Sequence, residues 1–502
     1  MTGIGRPFHR GAWARAALLA LGAGVFVASA AHAATPIADS DSTSLALFSG
    51  TAAAEQRIPS RRPPHNPWLA RNGGGNVHDD AWMSDTYWTK GPLGRAPEVF
   101  STAITRVCIT VTFDRKGRLV ASCSGFAGAH LFMFDPDTLD TLAELPLPYV
   151  APPPGQDPTT SSTGGAYFYL DKQDRAVIAT ADKHVWVVGE SDAGGTPSFI
   201  VQQDFDLTAL MGDDRITSVL PDWHGRLWFV GRYSGRVGVL DPNSGAVQSI
   251  VLNEEIENSF ALDRDGVFIV SDTSMYRFDL DDSGVPAVTW SAVYENSGVT
   301  KVGQINAGSG TTPTILRGGY VAIADNADTM HVVVYRTSAT LAPGQSRLVC
   351  QVPVFPPGAG ATENSLIGVG SSLIVENNFG YHFNTTIGGA LTSPGITRID
   401  VDDDGCHVVW QNTTERVPSV VSKVSARTGL IYTFTKDADP LYPTSAVWFW
   451  TALDFRTGAV VWKRLAGTGL LHNNHYAGIV LSRKGTAYLG AAGGLLGLRD
   501  TK

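Results

Sequence analysis

The chain is 502 residues long, carries a formal net charge of −9, and combines 43% apolar residues with only 17% charged ones. Such a chain can bury a large core, and its 54 glycines and 28 prolines suit many short strands and turns rather than long helices. The acidic balance, with no basic stripe to neutralise phosphates, argues against nucleic acid as a partner and favours a cation wherever acids gather.

Residues 1–33 read as an export signal. Arg6, Arg10 and Arg15 form a basic start, Ala16 to Ala28 is an apolar run too short for a comfortable membrane span, and Ala31-His32-Ala33 offers a small-x-small cleavage site. No later apolar run is long enough to cross a bilayer, so a secreted or periplasmic protein is expected. Its four cysteines suit an oxidising compartment. Cys108 and Cys123 lie at mirror positions about the turn Asp114-Arg115-Lys116-Gly117 and so face each other in a regular hairpin, which leaves Cys350 and Cys406 as a second pair.

Residues 34–64 are rich in Ser, Ala and Thr and then in Arg and Pro, with no hydrophobic period, and are expected to form a flexible leader. The remainder, 65–502, reads as one domain. Its first stretch, Asn66 to Trp88, is dense in aromatics, contains Asn76, His78, Asp79, Asp80 and Asp85, and is expected to pack on the rest of the domain.

From there one unit repeats: a β-rich run, a tight turn and a second β-rich run. The eight instances are Thr110 to Ala121, Ala166 to Ala179, Ser218 to Val230, Phe260 to Val270, Thr314 to Ile323, Leu366 to Val375, Val420 to Phe434 and Gly478 to Leu489. The turns recur roughly every 40 to 60 residues, the spacing of four-stranded propeller blades. The predicted fold is therefore an all-β propeller of eight four-stranded blades. The last unit lacks an outer strand, which the segment before Cys108, or residues near Trp82 to Trp88, could supply and so close the ring.

One stretch, Ala452-Leu453-Asp454-Phe455-Arg456-Thr457-Gly458-Ala459-Val460-Val461-Trp462, resembles the AxDxxTGxxxW docking motif of eight-bladed quinoprotein-like propellers. A degenerate form from Val239 to Ser249 keeps Asp241 and Gly245. The resemblance implies the fold and an interblade role for Trp462. The adjacent cysteines of several quinoprotein alcohol dehydrogenases are absent, and pyrroloquinoline quinone is not expected as a cofactor.

In a propeller the first strand of each blade lines the channel, and its start shares a face with the end of the second strand. That rule gathers Glu257, Asn258, Asp272, Asp325, Asn326, Glu363, Asn364, Glu376, Asn377, Asn378, Asn474 and His475 at one channel mouth. Glu is disfavoured in strands, yet a Glu-Asn-Ser phrase leads into an inner hairpin at Glu257 and again at Glu363. Carboxylate and amide oxygens are what Ca²⁺ requires. Candidate metal ligands are thus Glu257, Asn258, Asp325, Asn326, Glu363, Asn364, Glu376 and Asn377, with Asp272, Thr311, Thr312, Asn378 and Asn474 beside them. This set resembles the metal site of gluconolactonase, paraoxonase and strictosidine-synthase-like propellers, which implies a cation that polarises a carbonyl or activates water. Of His472 and His475, three apart, one can face the channel, and His475 is the candidate general base. No Gly-x-Ser-x-Gly elbow is present. The expected function is a monomeric binding or scaffold propeller for a small molecule, glycan or protein, the alternative being a metal-dependent hydrolase of a lactone or ester.

Overall fold

The computed structural model describes residues 32–71, 75–125, 128–151, 163–383, 388–402 and 404–502. All but two residues of the expected export signal therefore lie outside the described residues. Among the described residues eight blades of four antiparallel strands follow one another around a ring, each counted outward from its first strand, and blade seven gains a further strand on either side. All eight predicted hairpins are the inner halves of these blades, for example Ile216–Pro221 with Leu227–Gly231 and Ala261–Leu262 with Val267–Val270.

The sequence explains why the blades stack. Second strands such as Leu227–Gly231 and Tyr320–Ala324 are buried along their whole length, because neighbouring blades cover both of their faces. They accordingly read as continuous apolar runs. Outer strands such as Pro286–Val293 are mixed in burial and in sequence. The inner turns of blades one to three share a device: Asp114, Asp171 and Asp222 each accept a backbone N–H four residues on and pair with the side chain of that residue, Arg118, Arg175 or Arg226.

The ring closes as a strand exchange between the chain's ends. Pro97–Ala103 pairs antiparallel with Gly494–Asp500 and becomes the outer strand of blade eight, removing its exposed edge. This is the first of the two closures expected from the sequence. The docking-like motif forms the outer turn of blade seven, where Asp454 Oδ1 accepts the N–H groups of Arg456 and Thr457. Trp462 is fully buried beside Tyr432, under the backbone of Gly94 on the way to that closing strand. Cys108 and Cys123 are bonded across their hairpin, and Cys350–Cys406 ties the outer strands of blades five and six together.

The stretch 34–64 differs from the flexible leader its composition suggested. Phe48–Gly50 adds a strand to the outside of blade seven, Thr35 and Ser40 bond the backbone of Ala103 and Thr468, and Ile58 bonds Ala426. Edge pairing uses backbone groups, so it needs no side-chain period. Ile37 and Ile58 are buried anchors of the strap, and Ala34, Phe48 and Ala53 pack partly against the core.

Candidate functional site: an axial chamber

Propeller axes are problematic in the interior because inner strands turn an unpaired backbone edge toward the channel, where a buried N–H or C=O without a partner is costly. Residues 75–88 answer that need. Asn76 bonds Phe168 of blade two. The carbonyls of Ala81, Trp82, Ser84 and Asp85 then accept N–H groups from Leu262, Ile315, Gly368 and Val424, on the inner strands of blades four to seven in turn. Thr86–Tyr87 ends the passage as a parallel strand inside blade seven. The segment is a plug, and it is held in unfavourable backbone geometry: Asn76, Val77, Asp79, Met83 and Asp85 all have φ between 54° and 72°. For a β-branched residue such as Val77 this is a genuine outlier, sustained by the surrounding bonds.

Charge fixes the plug as well. Lys423, fully buried on the inner strand of blade seven, bonds both the Asp85 carboxylate and the Val77 carbonyl. The same carboxylate lies 3.1 Å from Nδ1 of His78 through both of its oxygens. On the other side of His78, Nε2 is 3.3 Å from Ser365 Oγ.

The opposite end of the channel is roofed. Gly380 donates to the Val302 carbonyl at 2.8 Å, Tyr476 to the Gly303 carbonyl at 3.3 Å, and Tyr381 bonds Nδ1 of His475 at 2.9 Å. His475 and Tyr476 themselves have φ of 42° and 61°, a second strained pair. Between plug and roof lies a chamber with about 70 Å³ open to water-sized molecules, room for about five waters at roughly 10–15 Å³ each. It is lined by Val77, His78, Ile109, Ala166, Tyr167, Glu257, Asn258, Ile305, Thr312, Glu363, Ser365, Val421, His475 and Tyr476.

The structure divides the sequence-derived candidates. Glu257, Asn258, Glu363, Thr312 and His475 meet in the chamber. Asn364 and Glu376 form a separate buried pair, joined at 3.2 Å, with Asn364 also donating to the Val420 carbonyl. Asn326 ties the loop backbone at Val299 and Ala307, Asn377 that at Ala359 and Pro394, and Asn474 bonds Ser419 and Ala477. Asp272 accepts the Glu255 N–H, and Thr311 accepts that of Ala324. Asn378 accepts the Glu363 N–H at 2.8 Å and so orients a chamber residue from outside. Asp325 sits with Glu295 and His331, their ligand-type atoms within 4.8 Å of one another, but its carboxylate already receives two backbone N–H groups and the His331 ring. None of those three lines the chamber. His472 is buried against the Thr468 carbonyl, leaving His475 as the histidine of that pair that faces inward.

Two carboxyl groups dominate the chamber's electrostatics. Glu257 lies 3.4 Å from the Arg232 guanidinium, which is also held at 2.8 Å by Glu255. Burial nonetheless pushes the Glu257 carboxyl up to about 7, with Arg232 opposing and Glu255 assisting. Glu363 accepts the Ile305 N–H at 3.0 Å, and burial, then the nearby Glu257, raise it well above the ordinary carboxyl range. Burial and these acids also raise Tyr167 and Tyr476, keeping both phenols neutral. The arrangement offers acceptors, hydroxyl groups and imidazoles in a small buried space.

Sequence reasoning missed the plug's part in this site, because His78 and Asp85 lie nearly three hundred residues before Ser365. It also passed over the serines. In the Glu-Asn-Ser phrases at Glu257 and Glu363 the serine is the member that touches the plug: Ser259 accepts from Asn76 at 2.6 Å, and Ser365 meets His78.

No protein-family model matches the chain, and no curated protein matches it. Among solved structures it is similar to an inactive variant of virginiamycin B lyase from Staphylococcus aureus with quinupristin, at 8% identity and a TM-score of 0.39, over 80% of this chain and 99% of that one. A streptogramin B lyase structure matches at 10% identity and 0.40, over 80% and 97%. The WD40 domain of SCAP from fission yeast matches at 12% identity and 0.44, over 80% and 98%. With TM-scores below 0.5 these likenesses say nothing about what this chain binds or catalyses. The chain is an eight-bladed β-propeller with an axial chamber closed by its own N-terminal segment.

Proposed function

We propose that this propeller is an exported binding protein whose axial chamber takes a small cation. One observation carries the reading: Glu257 and Glu363 line the same chamber, and Arg232, the guanidinium beside Glu257, is divided between that carboxyl and Glu255. Thr312 adds an independent support, since its Oγ1 is buried without a hydrogen-bond partner and its residue lines the same space. With Asn258 these groups supply hard oxygen donors of the kind Ca²⁺ takes. The two disulfides are compatible with export to an oxidising compartment, and among the described residues no helix is long and apolar enough to cross a membrane.

Metal analysis of the purified protein, followed by thermal melts with Ca²⁺ or with tetramethylammonium as an organic cation, tests this. Calcium at a hundred times its Kd is expected to stabilise by about 2.7 kcal/mol, and Glu363→Gln to abolish the shift. A response to tetramethylammonium alone would assign an organic cation instead. The proposal fails if the protein carries no divalent ion, chelator leaves the melt unchanged and neither cation shifts it.

A further inference from the structure

The Glu-Asn-Ser phrases at Glu257 and Glu363 provide a comparison within one molecule. Ser259, in blade four, is bonded to an amide, Asn76 Nδ2, and to the hydroxyl of Ser218. Ser365, at the corresponding place in blade six, is bonded to an imidazole backed by a carboxylate. The carboxylate of Asp85 can only accept, so Nδ1 of His78 carries the ring hydrogen and Nε2 is left as an acceptor. Ser365 Oγ already accepts the Thr312 N–H at 3.1 Å, which directs its own hydrogen toward that Nε2. His78 is 2% exposed and Asp85 0%, so neither interaction competes with bulk water.

We infer that Ser365, His78 and Asp85 form a nucleophile, base and orienting carboxylate that cleave a small ester or lactone admitted to the chamber. The inference rests on the reading that small molecules enter this space, and it does not require that they be cations. Such triads are defined by mutual geometry and not by chain order, and distances of 3.1–3.3 Å suit an unliganded site. In the first step Ser365 Oγ bonds to the acyl carbon while its proton passes to His78 Nε2. The C–O bond to the alcohol then breaks, and His78 returns the proton to the departing oxygen. Water, deprotonated by the same nitrogen, hydrolyses the acyl-serine and restores the hydroxyl. The Thr312 N–H donates to Oγ itself, while the Thr312 hydroxyl, buried without a hydrogen-bond partner on a residue that lines the same chamber, is the candidate donor for the oxyanion. A chamber of about 70 Å³ restricts the acyl part to a few heavy atoms.

Methanesulfonyl fluoride is small enough to serve as the probe: Oγ bonds to sulfur, fluoride leaves, and the proton goes to His78. Peptide mass spectrometry is expected to find one adduct, on Ser365 and not on Ser259, and none in Ser365→Ala. The rate should fall about 10²–10⁴-fold in His78→Gln, and Ser365→Ala should lose methyl acetate turnover followed by NMR. Because the histidine variant can fail for want of the plug, Ser365→Ala with an unchanged melting temperature is the decisive control. Absence of an adduct on Ser365 in folded protein, or turnover surviving in Ser365→Ala, overturns the inference. Cation binding without sulfonylation removes the nucleophile alone; sulfonylation without cation binding removes the cation reading alone; neither removes both.

Discussion

Lys423→Met is expected to destabilise the protein by about 3–5 kcal/mol, the usual cost of stripping one partner from a buried ion pair. Lys423 is fully buried, and its ammonium joins blade seven to the plug through the Asp85 carboxylate and the Val77 carbonyl. Without it, Asp85 remains at 0% exposure with the His78 ring beside its carboxylate and no ammonium to balance it. Val77 and Asp85, held at φ of 70° and 54°, also lose the contact that resists their relaxation. Urea unfolding measures the loss, and hydrogen exchange should show it first in residues 75–88. The double variant Lys423→Met with Asp85→Leu is expected to recover much of the stability, because no uncompensated charge is then left in the interior. A single-variant loss below about 1 kcal/mol would instead match the worth of an exposed pair, and would mean that the plug is not anchored by this charge.

The second large effect is a fall in stability as pH rises. Burial pushes the Glu376 carboxyl up to about 8, with hydrogen bonds from Ser422 and Asn364 opposing and the charges of Asp85 and Lys423 acting in opposite senses. Glu257 at about 7, and Asp79 and Asp80 at about 8 and about 6, are likewise raised mainly by burial. A raised carboxyl holds its proton in the folded chain while the unfolded chain has already released it. The contribution is therefore complete below the ordinary carboxyl range, near 4.5 for Glu, and is lost as pH climbs through the folded value. Stability should decline between about pH 4.5 and 8, at about 1.4 kcal/mol per unit for each group held protonated. Glu376→Gln keeps an acceptor for Asn364 and carries no charge. It is expected to gain about 2–4 kcal/mol over the parent chain at pH 8, less than the full linkage figure, and to flatten the slope. Chemical denaturation across that range checks both, and equal slopes in the two proteins would show that Glu376 ionises freely where it stands.

How much was legible in the sequence depends on the range of the signal. Each inner hairpin is a local object: its turn residues, such as Asp222 and Arg226, lie four positions apart and settle the register themselves. Eight such hairpins at blade spacing declared the propeller, and the mirror placement of Cys108 and Cys123 gave the hairpin disulfide. The rule that inner strands begin at one mouth grouped Glu257, Asn258, Glu363 and His475, which line one chamber. It could not tell these from Asn326, Asn377 or Asn474, which stand at similar places but are consumed by backbone groups of the long loops. An amide at a strand end looks the same in sequence whether it faces a chamber or cross-links a loop.

Two chain segments make contacts that no local side-chain pattern announces. The strap of residues 34–64 follows sheet edges by backbone pairing, which leaves no side-chain pattern. The plug of residues 75–88 satisfies the inner edges of five blades in the same way, and its histidine and aspartate acquire partners on blades six and seven.

The sequence by itself determined the fold, the eight-unit repeat, the hairpin disulfide and the Glu-Asn-Ser phrases at Glu257 and Glu363, because turns, periodicity and mirror placement about a turn act over a few residues, whereas Cys350–Cys406 followed only by elimination. Only the tertiary structure decided that the channel mouth is roofed, that the axis is plugged, and that Ser365 meets His78. Those contacts join residues hundreds of positions apart through backbone edges and buried charges, and such pairings are selected by the closed ring and not by any local preference of the chain.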